Sequence, residues 1–426
     1  MPSKTLEVVV KLTERCNINC TYCYVFNKGD ETFKEHPPLM PLNVVNAMGS
    51  FLNDAAEKTG ATEVIVIFHG GEPLIMKKRK FDQVCTNLRA LITAPEKLRF
   101  CIQTNGMLVD EEWIELFDKH QIAVGVSIDG PKEENDRYRI DHQGRGTYDR
   151  VAKGIHLLRE ARDEGLIPGM GVLSVANPRL DGALFYRHFV DELKLDNFDF
   201  LLPIDPHDGF NYLDNEGYSR FLCQVFDEWV RDNNPIVSVR IIAKAISALK
   251  SGKRLVEDVQ NAYAGGHAVF TVASNGDLGP DDTLRTAYPG LFGNFNVLSA
   301  KYEDYVSSPL QKRLVQAEMT LPTDCADCSW KNVCRGGAAN GRLINRFSHK
   351  AGFNNTSVVC DALQKFYGHV AAYLLKSGLS YKALEAGLIQ SDATFGSYAA
   401  PCPFASNSDA SRKSRIGERI PIAVSA

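Results

Sequence analysis

The stretch LEVVVKLTERCNINCTYCYVFN, Leu6–Asn27, decides the reading of this 426-residue chain. Its first half, LEVVV, is an apolar β-rich run of strand length. Its second half crowds Cys16, Cys20 and Cys23 into one short loop with the spacing Cys-x3-Cys-x2-Cys, and sets Tyr22 and Tyr24 on either side of the last thiol. In a four-iron cubane, three thiolates leave one iron without a protein ligand and open to a small molecule. A tetrahedral zinc site would want a fourth Cys or His nearby, and His36, in a polar, Pro-flanked stretch, has unusual spacing for that. Three thiols therefore suggest a site left open by design, with a structural zinc loop as the alternative.

Outward from this loop the pattern repeats. LEVVVKL, EVIVIFHGGEP, KLRFCIQTNG, IAVGVSIDG, GMGVLSVAN and NFDFLLPID read as strands that end in Gly, Pro, Asn or Asp, and most are followed by apolar residues at helical spacing. PLNVVNAMGSFLNDAAEKTG, with Pro at its start and Gly at its end, is an example of such a helix. Repeated βα units with continuous apolar strands imply an α/β fold with a parallel sheet, and six of them imply a partial (β/α)6 barrel rather than a closed one. The loops after the strands then share one rim, where the chemistry belongs. Helices are expected from about Glu216 to Asp232 and near IIAKAISALKSG, then a β-hairpin turning at Asn275-Gly276, a second cysteine group, and an amphipathic helix from near Cys360. This gives residues 1–235 as the barrel, 236–262 as a helical linker, 263–375 as a smaller domain and 376–426 as a C-terminal helix with a mobile tail.

Composition narrows the class. Hydrophobic content of 44% and charged content of 23% are those of a soluble globular protein, and a net charge of -4 argues against nucleic acid or a membrane surface as a partner. The first apolar stretch is too short for a signal segment and no run has the length of a spanning helix, so the expected location is the cytoplasm. In that reducing compartment the eleven cysteines are not expected to form structural disulfides. Cys85, Cys101 and Cys223, in apolar contexts, are assigned no role.

The thiol spacing on the loop after the first strand resembles the signature of the radical S-adenosylmethionine (SAM) enzymes, over roughly Leu6 to Ile204. The resemblance implies that the open iron chelates SAM, and that one-electron reduction releases a 5'-deoxyadenosyl radical that abstracts hydrogen from substrate. It also implies the remaining contacts. Gly70, Gly71, Glu72 and Pro73 look like the family's Gly-Gly-Glu motif for the methionine ammonium. Ser127 resembles its ribose ligand, and Arg139 its ligand for the SAM carboxylate, a task suited to guanidinium. Asn105 in QTNG and the aromatic Tyr22 and Tyr24 belong to the same rim. Asp129 suits a turn cap as well as a ligand.

The second group, Cys325-x2-Cys328-x5-Cys334 with Cys360 further on, offers four thiols and so a closed site, for zinc or for iron and sulfide; spacing does not choose. Its order resembles the SPASM extension of radical SAM maturases, with departures. Ala338 stands where the central run would continue with Cys, and Pro280-Asp281-Asp282 stands where the family shows Pro-Cys-Asp. The resemblance then implies one auxiliary 4Fe-4S cluster, the outer one, and loss of the inner. Asp282 matches the Asp that acts as general base in sulfatase-maturing relatives, and Asp281 and Asp282 would line the freed space; two acids after Gly-Pro suit a turn equally.

The resemblance points to a maturase of ribosomally made precursor peptides, and the shortened cysteine set favours a cyclophane-forming enzyme. Such an enzyme takes hydrogen from an unactivated Cβ and joins that carbon to an aromatic ring. A thioether-forming or a sulfatase-type (formylglycine) maturase is the alternative, and a non-catalytic iron-sulfur or zinc-binding protein is a rival of another class. The expected partners are the precursor peptide and an electron donor such as flavodoxin or ferredoxin. With Leu6 opening the barrel, no leader-binding domain is expected before it.

Overall fold

Punctuation of apolar runs by Gly, Pro, Asn and Asp translates into strands where the sequence predicts them. The computed structural model describes residues 5–209, 213–251, 269–286, 292–337 and 341–389. The six expected strands are β1 (Thr5–Thr13), β2 (Glu63–Gly70), β3 (Leu98–Thr104), β4 (Ile122–Ser127), β5 (Met170–Val175) and β6 (Asn197–Leu201). The expected helices are Leu42–Thr59, Asn215–Asp232, Arg240–Ser251 and Cys360–Lys376. The first begins after Pro41 and is ended by Gly60, whose φ of 64° is the left-handed turn glycine tolerates best.

Two compact units divide the described chain. One takes residues 5–172 and 269–316, the other 173–251 and 317–389, so β5 is split between them. In the first unit β1–β4 are parallel in chain order, with Val8 opposite Val66, Val66 opposite Phe100, and Phe100 opposite Ile122. One face of β1 is fully buried, with Leu6, Val8, Val10 and Leu12 at 1% exposure or less. Each of these side chains stabilises the fold by about 1.5–3 kcal/mol relative to exposure. The other face is buried too, yet carries Glu7, Lys11 and Thr13. Ile65, Cys101 and Ala123 fill that second face lower on the strands, while Lys11 and His69 are register partners near its upper rim.

The hairpin around Asn275-Gly276 is present as β8 (Val269–Val272) and β9 (Asp277–Gly279), with β10 (Phe295–Asn296) beside β9. Its place was not evident from sequence: β8 joins the barrel sheet parallel to β1, with Phe270 opposite Val8. In the second unit β6 is paired in parallel with the short β7 (Ser238–Val239). One cysteine departs from expectation. Cys101 is disulfide-bonded, whereas Cys16, Cys20, Cys23, Cys85, Cys223, Cys325, Cys328, Cys334 and Cys360 are free. Ala338 and the segment 390–426 also lie outside them. No helix among the described residues is long and apolar enough to cross a membrane.

Candidate active site

The three-thiol loop is held from two sides. From the β4 side, the backbone N–H groups of Asn19 and Thr21 donate to the carbonyls of Ile140 (2.7 Å) and Tyr138 (3.0 Å), and His142 Nε2 meets Cys16 O at 2.9 Å. From the β2 side, Gly71 N–H donates to Thr13 O (2.8 Å) and Glu72 N–H to Arg15 O (2.9 Å). This close lacing explains the paired glycines. A Cβ on Gly70 would lie 2.1 Å from Thr13 O, and one on Gly71 would lie 2.0 Å from Arg15 O. Gly70 also has a φ of 127°, which a side chain would strain.

Cys16, Cys20 and Cys23 face one another closely enough for their charges to interact, and burial pushes Cys16 up to about 12 and Cys20 upward. Among the described residues no three His, Cys, Asp or Glu side chains are grouped at the spacing of a single bound ion. A cubane attaches each thiolate to a different iron and needs a wider triangle. Asn105 lies against the first thiol, its Nδ2 at 3.9 Å from Cys16 Sγ and 2.7 Å from Asn17 Oδ1.

Around this loop the rim supplies polar groups. Arg139 is 6% exposed and its Nη1 donates to Tyr22 Oη (2.9 Å), while Tyr22 in turn hydrogen-bonds Asp129. Arg139 Nε is buried and has no partner among the described residues. An orphaned donor beside the thiol loop fits a carboxylate that arrives with a ligand, as SAM requires. Ser127 ends β4 as predicted and accepts from Gln103 Nε2 at 2.8 Å. Glu72 is more committed than its sequence reading implied. Fully buried, it accepts from Asn105 N–H (2.6 Å), Thr104 Oγ1 (2.7 Å) and Leu74 N–H (3.0 Å), which binds the ends of β2 and β3 together. Burial raises its carboxyl, and those three donors oppose the rise.

Beside the loop stands a group that sequence did not assemble. Lys11, 3% exposed, is ion-paired with Asp282, and its Nζ lies 3.3 Å from His69 Nδ1. Tyr24 donates its hydroxyl to Asp282 Oδ2 at 2.6 Å. Burial works against the Asp282 charge, but Lys11 and then His69 overcome it and hold the carboxyl well below the usual range. His69 is lowered to about 4, first by burial and then by Lys11, so it is neutral at pH 7. Tyr24 and His69 are half-buried. Asp281 is the most open of the group, and its Oδ1 accepts Thr283 N–H at 2.9 Å, which caps the turn Asp282–Thr286. Lys11 and His69 were missed; a lysine inside a strand with both faces buried is itself the signal, because such a charge needs a partner.

Glu14 fastens the loop to the hairpin. Its buried carboxylate meets His36 Nδ1 at 2.9 Å and accepts Ser274 N–H at 3.1 Å. Burial opposes its charge, but His36 and Ser274 prevail and lower the carboxyl.

In the second unit, the four predicted thiols come together. Cys328 N–H donates to Cys325 O (3.2 Å), Cys334 closes the short helix Lys331–Cys334, and Cys360 opens the helix Cys360–Lys376. Cys325 interacts with Cys328 and Cys360, and Cys334 with Cys325 and Cys360. Gln364 Nε2 donates to Cys360 Sγ at 3.2 Å, the kind of outer contact that orients a metal-bound sulfur.

Comparison with known proteins agrees with this geometry. Residues 10–175 match the Radical SAM superfamily. The chain is 27% identical over 404 residues to a serine-type anaerobic sulfatase-maturating enzyme of Bacteroides thetaiotaomicron, covering 87% of this chain and 91% of that one. It is 24% identical over 382 residues to a cysteine-type anaerobic sulfatase-maturating enzyme of Clostridium novyi, covering 85% and 95%. Native anSMEcpe with bound AdoMet has the same fold, with a TM-score of 0.71 at 21% identity over 87% of this chain and 98% of that one. The same protein with AdoMet and the Cp18Cys peptide gives 0.70 over the same shares. The thiol loop, the glycine-laced rim and the orphaned Arg139 donor all lie within the stretch that matches the Radical SAM superfamily, and they are those of an enzyme whose cofactors are SAM and iron-sulfur.

Proposed function

We propose that the protein is a peptide maturase that oxidises a side-chain Cβ, converting a Cys or Ser residue to formylglycine in the manner of a sulfatase-maturating enzyme. The observation that carries this reading is similarity to such enzymes along nearly their whole length, 91% and 95% of the two relatives. When bound, a cluster and SAM would supply a radical able to take hydrogen from carbon. The chain's own residues do the rest. Cys16, Cys20 and Cys23 would hold the cluster, Arg139 Nε would receive the SAM carboxylate, and Ser127 and Asn105 border the same rim. Asp282, kept ionised by Lys11, accepts a hydrogen bond from the substrate thiol or hydroxyl and takes its proton once Cβ has lost hydrogen, the remaining electron passing to an iron-sulfur centre. From Cys, water then replaces sulfur, which leaves as hydrogen sulfide. Tyr24 and Lys11 keep the Asp282 carboxylate aimed.

A cyclophane cross-link is the second reading, favoured by one feature of the sequence: residues 280–282 read Pro-Asp-Asp where the sulfatase-type family shows Pro-Cys-Asp. Both readings begin with hydrogen loss from Cβ and differ in the bond that this carbon makes next. The test is co-expression with a peptide that contains Cys or Ser and a nearby aromatic residue, then mass spectrometry before and after hydrazide labelling. Oxygen-for-sulfur exchange together with loss of two hydrogens from a Cys peptide, or loss of two hydrogens from a Ser peptide, in either case with hydrazide reactivity, supports formylglycine. Loss of two hydrogens without that reactivity, with an aromatic residue resisting fragmentation, moves the assignment to the cross-link. Reduced, cluster-loaded protein that releases no 5'-deoxyadenosine from SAM would end both.

A further inference from the structure

Arg346 has the largest fully buried side chain among the described residues, at 1% exposure. Its three nitrogens all donate to backbone carbonyls: Nε to Phe353 O (3.0 Å), Nη1 to Ala317 O (3.0 Å) and Nη2 to Thr320 O (3.1 Å). These acceptors satisfy its geometry and leave its charge unneutralised. No carboxylate among the described residues lies within ion-pairing distance of it. A buried cation of this kind is costly unless an anion lies near.

The anionic groups that act on it are Glu318 first and then Cys325 of the four-thiol centre. The turn after Cys334 runs over Arg346 and Arg342: a Cβ on Gly336 would sit 3.5 Å from Arg346 Nη1, and one on Gly337 would sit 3.8 Å from Arg342 Cγ. Arg342, 7% exposed, has Glu318 at 3.7 Å, and Glu318 also acts on Arg346. Arg342 acts on Cys334, and Arg346 on Cys325. Arg335, also buried, directly follows Cys334.

We infer that Arg346 and Arg342 are the built-in counter-charge of the four-thiol centre and hold its reduction potential up. The inference rests on reading that centre as iron-sulfur. A four-thiolate cluster is anionic and gains a further negative charge on reduction, so fixed cations favour the reduced state. A structural zinc would gain nothing redox-active from them.

The test uses full-length protein carrying Cys16→Ala, Cys20→Ala and Cys23→Ala, reconstituted without oxygen, so that the auxiliary centre alone reports in an EPR-monitored redox titration. In Arg342→Gln and Arg346→Gln the midpoint should move negative, with the reduced-to-oxidised ratio at a fixed poise falling about tenfold, equivalent to about 59 mV for a one-electron couple. Arg346→Lys keeps the charge but loses the fork, so its midpoint should stay close to the parent's while its melting temperature drops. If Arg346→Gln does not fold, Arg342→Gln decides. Loaded protein whose midpoint ignores both Gln substitutions overturns the counter-charge role and leaves the cluster reading standing. Zinc in place of iron overturns both.

Discussion

Gly71→Ala offers a sharp test of how the site is built. The new methyl would lie 2.0 Å from Arg15 O and 2.4 Å from Arg15 C, where real contacts do not fall below 3.0 Å, so the Arg15–Cys16 backbone must retreat by at least about 1 Å. That retreat breaks Glu72 N–H to Arg15 O (2.9 Å) and stretches Gly71 N–H to Thr13 O (2.8 Å). Each hydrogen bond is worth about 1 kcal/mol and the overpacking about 1–3 kcal/mol, so the laced form of the loop loses roughly 3–5 kcal/mol. At about 1.4 kcal/mol per factor of ten, its population relative to unlaced forms falls at least about a hundredfold. The damage is local, since the second unit's thiols are built on other segments. Iron and acid-labile sulfide on anaerobically reconstituted protein should therefore fall by about half, to about four irons, with SAM binding lost in calorimetry. Full iron loading with unchanged SAM affinity would refute the idea that glycine at this position is what lets β2 approach the thiol loop.

Other outcomes follow from the same geometry. Wild-type protein loaded without oxygen should carry about eight irons per chain, and about four would remove one of the two clusters. Lys11→Met strands the buried Asp282 charge and should cost about 3–5 kcal/mol in urea unfolding, much of it recovered by adding Asp282→Asn; equal loss in the double variant would deny that the two act as a pair. His69 has a folded pKa of about 4 against an ordinary 6.5, so the unfolded chain binds its proton first. Its contribution to stability is then full above pH 6.5 and declines as pH falls toward about 4, and His69→Gln should flatten unfolding free energy across that window. Arg139→Lys keeps a charge but removes Nε and the planar fork, so the KM for SAM should rise about tenfold or more; an unchanged KM would show that the orphaned Nε serves no ligand.

Much of this was legible in the sequence, for reasons that differ by element. The six strands and the rim motifs at their ends were readable because apolar runs and Gly, Pro or Asn stops are local signals. The thiol groups were readable because chelation by sequence-near cysteines is local too. Strand neighbourhood is not a local property. Nothing in VFTV says that β8 lies against β1, so Lys11 looked like an ordinary polar strand residue and Asp282 could be named without its partner. Glu72 shows the converse. Its motif was plain, but its three protein donors come from Leu74, Thr104 and Asn105, and two of those lie on another strand end.

The docking of β8 beside β1 has a consequence for how the protein is born. Lys11 and Asp282 are 271 positions apart, so a ribosome releases the thiol loop long before the carboxylate that will face it exists. Through that interval the nascent rim lacks its last wall, and small inorganic species have open access to the sulfurs. Cofactor delivery during translation would thus meet a doorway that the finished chain later shuts.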